Sequence, residues 1–457
     1  MEYGDKVKNK IVNLAPTDKF FNRIWSFGKQ SLVTNAGYLF GISLFNSIVG
    51  LFFWGLATRL YRPEEVGFTS AFISAAFLVC GITDFGMSVG LVRCLPESQK
   101  PVNFLNTIFT LEALTTILAG VVYLGGISIW TPSLSILQSY WIYLVAFLIY
   151  ITFYTLGYFV RFSFIARRKS QYALFYTCIS NVSRLIFVIL FAGLGSLGLS
   201  VTFTFSFFLA TSISFIFFMP KVEPDYRLYP ILDWSVISTI FPYSLGNFLV
   251  GLLSMASQRL LPLLIIERLG PLSSAYFYIA WMISDFLASP GSAISDSLFA
   301  EGSNSPESLM THLIKSAIIG LVITIPAAIL IGLGSPYILS IFGPNYAREA
   351  SSLLRWLAMA SILTVINGLY FTKLKVQKQI KQLILVNAIL TFVTLGITYY
   401  LIPRVGITAV GIGWLIGNSL TSLGAFYYFE WHKEVISHFS KNVCRNNRNP
   451  LEKSSEI

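Results

Sequence analysis

The chain has 457 residues, of which 55% are hydrophobic, 16% aromatic and only 12% charged, with a formal net charge of +11. A water-soluble chain carries about 25% charged residues; half of that cannot clothe a surface of this size in water. A cytosolic enzyme, a nucleic-acid-binding protein and a disordered scaffold are excluded, and a polytopic membrane protein is left.

In chain order, residues 1–35 form a basic arm in which Phe20, Phe21, Ile24 and Trp25 recur at helical spacing opposite Lys19, Arg23 and Lys29. That pattern predicts a short amphipathic helix lying on the inner membrane surface. The first long apolar run begins near Tyr38, so no cleavable leader is expected. Runs of about 20 apolar residues then predict twelve spans, at 36–57, 67–91, 104–127, 138–160, 173–192, 197–219, 243–266, 272–290, 312–333, 351–371, 382–402 and 406–429. With the amino terminus inside, most of the 32 Lys and Arg fall on the cytoplasmic side. The outer loops keep Arg59, Arg62, Arg268, Arg348 and Arg404. This bias places both termini in the cytoplasm and requires an even number of spans.

The polar, proline-bearing stretch 221–235 divides the chain into lobes at 36–220 and 236–430, and a basic tail follows at 431–457. We read the stretch as the hinge between two six-helix lobes. A weak repeat agrees: Arg59-Leu60, Pro63 and Gly67-Phe68 after the first span match Arg268-Leu269, Pro271 and Ala275-Tyr276 after the seventh. The expected fold is therefore an all-α membrane protein of about twelve helices in two lobes related by a pseudo-twofold along the membrane normal, an architecture of secondary carriers. Gly37…Gly41 and Gly413…Gly417 have the spacing of close helix packing.

Ionisable side chains within the hydrocarbon are costly and normally face a cavity or a partner. Arg184 lies about eleven residues into the fifth span, ~16 Å deep at the helical rise, and Arg259 follows Gln258 at similar depth in the seventh. Guanidinium is planar, multiply donating and permanently charged, which suits phosphate. Both arginines are substrate candidates, the alternative for Arg184 being an ion pair with Glu112. Arg355, one turn inside the tenth span, either joins them or snorkels. Glu112 can carry a coupling proton or neutralise Arg184. Asp84 and Asp285, near inner span ends, are coupling candidates or interfacial caps, and Lys315 is a candidate or a snorkelling lysine. Asn181, Asn247, Asn367, Asn387 and Asn418 either line a polar cavity or hydrogen-bond between helices. Cys80, Cys94, Cys178 and Cys444 have no CxxC spacing, and His312, His432 and His438 lie near span ends. No metal, cofactor or catalytic constellation is expected.

Three loop stretches carry a resemblance. Leu60-Tyr61-Arg62-Pro63-Glu64-Glu65-Val66-Gly67 resembles the "LY-x-P-E-E-x-G" signature of the polysaccharide transporter family, and Asp84-Phe85-Gly86 and Arg93-Cys94-Leu95-Pro96-Glu97 continue it. Phe342-Gly343-Pro344-Asn345-Tyr346, followed by Ser352-Leu353-Leu354-Arg355, is similar to the family's "FG-x-x-Y…LL" stretch. These are the Wzx-type flippases of O-antigen and lipid-linked oligosaccharides, in the superfamily that also holds the multidrug-and-toxin extruders (MATE). The resemblance implies a MATE-like fold and a non-enzyme in the cell (inner) membrane. It also implies alternating-access transfer of a polyprenyl-diphosphate-linked oligosaccharide to the outer leaflet, with Arg184 and Arg259 gripping the diphosphate. Membrane lipids, a coupling cation and polysaccharide-assembly proteins are the further partners it suggests. The rivals are a cation-coupled drug extruder, disfavoured because the first span offers only Asn46 and serines, and a membrane glycosyltransferase or polymerase, disfavoured by the short outer loops.

Overall fold

In a computed structural model, which describes residues 31–304 and 306–428, the chain is helical along nearly all of its length. The basic arm with its amphipathic helix, and the tail, lie outside the described residues. The principal helices are α1 (Ser31–Leu60), α2 (Pro63–Thr83), α3 (Met87–Cys94), α4 (Pro101–Gly125), α5 (Trp141–Ala166), α6 (Ser170–Leu190) and α7 (Gly195–Ile213), which runs on through a π turn to Val222. After a non-helical segment at 223–233 come α8 (Trp234–Asn304), α9 (Leu309–Ser340), α10 (Pro344–Val376), α11 (Ile380–Val405) and α12 (Thr408–Tyr428).

Ten helical stretches among the described residues are long and apolar enough to cross a membrane. One of them, Phe248–Phe299, has 52 residues and would be ~78 Å long at the helical rise, more than twice the hydrocarbon thickness of about 30 Å. Gly270 (φ 79°, ψ 176°) breaks it into two crossings. With α12, and with α2 and α3 sharing one crossing, the chain makes twelve passes, six in each lobe. Large apolar side chains such as Phe52, Leu118, Val322, Leu330 and Leu333 stay exposed, as a lipid-facing belt requires. The molecule is a multi-pass membrane protein.

The pseudo-twofold is written in the backbone. Arg168 (φ 55°) and Lys378 (φ 57°) occupy the same left-handed turn, closed in one lobe by the Lys169 N–H to Phe164 C=O bond (2.8 Å) and in the other by the Gln379 N–H to Leu374 C=O bond (2.9 Å). Gly195 (φ 59°, ψ −140°) and Gly406 (φ 57°, ψ −139°) likewise match. This region of φ/ψ suits glycine alone, so Gly406→Ala is expected to cost ~1–3 kcal/mol, read as a lower melting temperature of the purified protein.

The lobes meet unequally at the two ends. At the Gly270 end a single apolar cluster joins Phe53, Trp54, Val66 and Phe72 of one lobe to Ile265, Phe277, Leu339 and Phe342 of the other. The loop signatures find their physical role here. Pro63 opens α2 while the Glu65 carboxylate accepts from Arg62 N–H (2.9 Å), and the Tyr61 hydroxyl donates to Val188 C=O (2.9 Å). A Cβ on Gly67 would lie 1.7 Å from Pro271 C=O, and Ser70 and Ser274 hydroxyls meet at 3.2 Å. Tyr346 stacks edge-on to Tyr276 at 5.0 Å. The two copies of the repeat thus pack on one another near the pseudo-twofold.

At the opposite end, where 223–233 lies, the apolar core divides in two: a cluster of the first lobe, joined by Ile240 at the start of α8, and a separate cluster within the second lobe. There α2 and α3 stay against the first half of α8, with Gly86 (φ 74°) opposite Ser244 C=O. The other seam is open: a Cβ added at Gly37, Gly41 or Gly50 of α1 would meet nothing within 4 Å. Gly37…Gly41 is therefore not a packing motif, because no described helix covers that face. Gly413 and Gly417 do pack closely, on Thr398 and Thr394 of α11.

Residues 223–233 are strapped along α4. Asn106 donates to Arg227 C=O (2.7 Å), Tyr229 bonds Asn103, and Ile231 and Asp233 N–H groups reach Thr110 and Thr107 (both 3.2 Å). Asp233 then caps α8, accepting from Ser235 N–H (3.0 Å) and O–H (2.6 Å), which holds its carboxyl below the usual carboxylate range.

Candidate functional site

Between the lobes, one cavity of about 390 Å³ is walled by α2, α3, α5 and the first half of α8, through Phe77, Gly81, Asp84, Tyr154, Tyr158, Met255 and Arg259. The Arg259 guanidinium lies 4.5 Å from the Phe77 ring centroid, a cation–π distance that holds the charge without neutralising it. Asp285, on the second half of α8, feels the Arg259 charge but forms no ion pair with it among the described residues. Asp285 is exposed and is not among the residues that line this cavity.

Arg184 sits deeper, boxed by the rings of Phe203, Phe207 and Phe53 at 4.7, 5.3 and 5.8 Å. Its Nε is buried with no acceptor among the described residues. A third cation, missed by the sequence reading, is Arg161. The fourth span was expected to end at 160, whereas α5 runs to Ala166, so Arg161 falls inside the helix, its Nε also buried and without a partner among the described residues. Tyrosines stand near the three arginines: Tyr154 near Arg259 and Arg161, Tyr176 near Arg161 and Arg184, and Tyr278 near Arg259 and Arg184. Tyr150, Tyr154, Tyr158 and Phe162 form a ladder on one face of α5, with successive ring centroids 6.1, 6.5 and 4.7 Å apart. That i, i+4 spacing was visible in the sequence.

Glu112 is not the partner of Arg184. Its carboxylate is buried, and neither oxygen has a hydrogen-bond partner among the described residues. The charge acting on it is that of Asp84. The reason is helical phase: Glu112 lies one turn from Thr116, whose hydroxyl meets Thr83 of α2 (3.0 Å) and Thr155 of α5 (3.4 Å), whereas Arg184 on α6 faces α1 and α7. Exchanging the charges, Arg184→Glu with Glu112→Arg, is therefore expected not to rescue either single variant, measured by recovery of folded protein from detergent.

The remaining candidates divide between cavity and scaffold. Asp84 lines the cavity and also caps α3, accepting from Ser88 N–H (3.0 Å) and O–H (2.9 Å). Asn181 donates to Asn46 (2.6 Å), tying α6 to α1. Gln258 lines a second, polar cavity inside the second lobe. Arg355 is exposed, with its Nε on Ser335 Oγ (3.2 Å), and Lys315 is exposed on α9; neither lines these cavities. The side chain of Asn247 lies outside the described residues.

Behind the α2–α8 wall lies an apolar groove of about 810 Å³, formed by Leu78, Val79, Ile82, Leu260, Leu263 and Phe392 among others. Its polar groups gather at the Gly270 end, where Glu267 accepts from Ser133 N–H (3.0 Å) and Arg268 covers Tyr399 at 4.4 Å. The wet cavity and this groove share one partition, in which the Met255 side chain fills the notch left by Gly81.

This arrangement of two six-helix lobes around a central chamber is the fold of the MATE and lipid-flippase structures. The solved lipid II flippase MurJ, in an inward closed conformation, superposes with a TM-score of 0.72 at 17% identity, over 86% of this chain and 88% of that one. An inward-facing multidrug resistance MATE family transporter of the MOP superfamily gives 0.63 at 16%, over 86% and 96%. A MOP superfamily transporter from Pyrococcus furiosus, described by the reverse polarity of its binding pocket, gives 0.57 at 14%, over 87% and 93%. At these identities the likeness establishes the fold. No protein-family model matches the sequence, and no curated protein matches it.

Proposed function

We propose that the chain is a flippase that carries a polyprenyl-diphosphate-linked oligosaccharide, an O-antigen or other surface-polysaccharide repeat unit, from the inner to the outer leaflet of the cell membrane by alternating access. The 223–233 end then faces the cytoplasm with both termini, and the Gly270 end faces outward. One observation carries the reading: a cavity whose one lining guanidinium, Arg259, lacks an ion-pair partner among the described residues shares a wall with a large apolar groove. A cargo with a diphosphate head and a hydrocarbon tail matches both compartments at once, since buried cations demand anions and a prenyl chain demands apolar surface. The lobes, sealed at one end and parted along α1 at the other, supply one of the two states that alternating access needs. A coupling cation and polysaccharide-assembly proteins remain the further partners of this reading.

A cation-coupled drug extruder is the second reading, favoured by the MATE structures among the neighbours and opposed by three unneutralised arginines, which repel organic cations. Purified protein in liposomes separates them. Fluorescent prenyl-diphosphate oligosaccharide placed in one leaflet is expected to reach the other within the assay, while an organic cation such as ethidium is not moved. Ethidium transport with no lipid transfer would replace the first reading by the second.

A further inference from the structure

The polar cavity of the second lobe has no arginine in its lining. It measures about 270 Å³, which is room for one pyranose unit. Part of its lining is a fixed amide network: Asn367 donates to Asn418 Oδ1 and C=O (both 3.0 Å), Asn418 to Trp414 C=O (2.8 Å), and Ser254 to Asn387 Oδ1 (3.1 Å). Other lining groups are different. Gln258, Ser292, Ser295, Asp296 and Lys375 line the cavity with no hydrogen-bond partner among the described residues. Asp296 and Lys375 lie within electrostatic reach of each other, so their charges offset. Phe371 and Trp414 add ring surface.

We infer that this cavity is the glycan subsite, and that it takes an uncharged sugar. The inference rests on the flippase reading and specifies its head group. Free hydroxyl, amide and ammonium groups alongside a rigid amide network, with aromatic faces beside them, match a ring of hydroxyls with apolar C–H faces; they offer no net charge to a uronic acid. Position supports the assignment: Ser254, Ser257 and Gln258 face this cavity from the same turns of α8 whose Met255 and Arg259 face the arginine cavity. A glycan attached to a diphosphate at Arg259 thus has this cavity on the neighbouring face of α8, about 100° of helical rotation away. The bonded groups fix the shape, and the unbonded ones read the ligand.

The test compares flux in liposomes of three probes sharing one prenyl diphosphate: bare, bearing a neutral N-acetylhexosamine disaccharide, and bearing a uronic acid disaccharide. The full-length protein is expected to move the neutral probe about tenfold faster than the other two, the worth of one or two net hydrogen bonds. Ser292→Leu, which fills the cavity from an accessible position, is expected to bring the neutral-to-bare ratio close to one, and Ser295→Ala to lower it severalfold. Equal flux of neutral and uronate probes, or a ratio untouched by Ser292→Leu in folded protein, overturns the subsite while leaving the flippase reading standing. A ratio that depends on Ser292 only when sodium replaces choline makes the cavity a cation site and also overturns it. Failure of the unaltered protein to move any of the three lipids overturns the flippase reading itself.

Discussion

Arg259→Ala is expected to abolish lipid-linked glycan transfer while leaving the protein folded. The guanidinium rests on Phe77 at 4.5 Å and has no carboxylate at ion-pair distance among the described residues. Removing it therefore leaves no buried anion behind, and the usual penalty for breaking a buried pair does not arise. On the proposed function, the loss is a charge-assisted contact with the diphosphate, about 1.5–3 kcal/mol for each hydrogen bond. Two such bonds correspond to roughly 100-fold or more in flux at 1.4 kcal/mol per decade. Arg259→Lys keeps the charge but not the planar fork, so part of the activity is expected to survive. Normal transfer by folded Arg259→Ala in the liposome assay would remove Arg259 from the site.

The second large effect is expected at Gly67. Its missing Cβ lets α2 approach until Pro271 C=O occupies the space, 1.7 Å from where that carbon would be, with Ala275 N at 2.9 Å. Backbone cannot yield as a flexible side chain can, so Gly67→Leu must push the lobes apart at the Gly270 end. The expected result is a protein that folds, because every apolar partner within each lobe is kept, but cannot close that end. Cysteines replacing Ser70 and Ser274, whose hydroxyls now meet at 3.2 Å, report this directly. They should crosslink readily in the parent and poorly beside Gly67→Leu. Equal crosslinking in both would show that the contact adapts.

Much of the fold was legible because the bilayer imposes one rule on every span. Runs near 20 residues, the repeat around Pro63 and Pro271, and the polar stretch at mid-chain pointed to twelve helices in two lobes. What a hydropathy reading cannot supply is rotation about each helix axis. Glu112 and Arg184 share depth, and depth made them a pair, but α5 stands between their faces. Span ends blurred for a related reason: Arg161 was read as loop because a charge ends an apolar run, although the helix continues to Ala166. Gly37…Gly41 and Gly413…Gly417 have the same spacing, and only tertiary context tells a packed face from an open one. The cavity was thus partly visible, in Asp84 and Arg259, while Tyr154 and Tyr158 read as ordinary span residues.

The strap along α4 carries a mechanical corollary. Because the connector is anchored to the first lobe up to Asp233, and the start of α8 packs on α3 through Ile240 and Ser244, the link between the lobes is short and lies near one membrane face. A body held by so short a tether can swing but hardly slide. Small angular play near that fulcrum is amplified with distance along the helices, so the greatest excursion falls at the far rim, on the contact between Gly67 and Pro271.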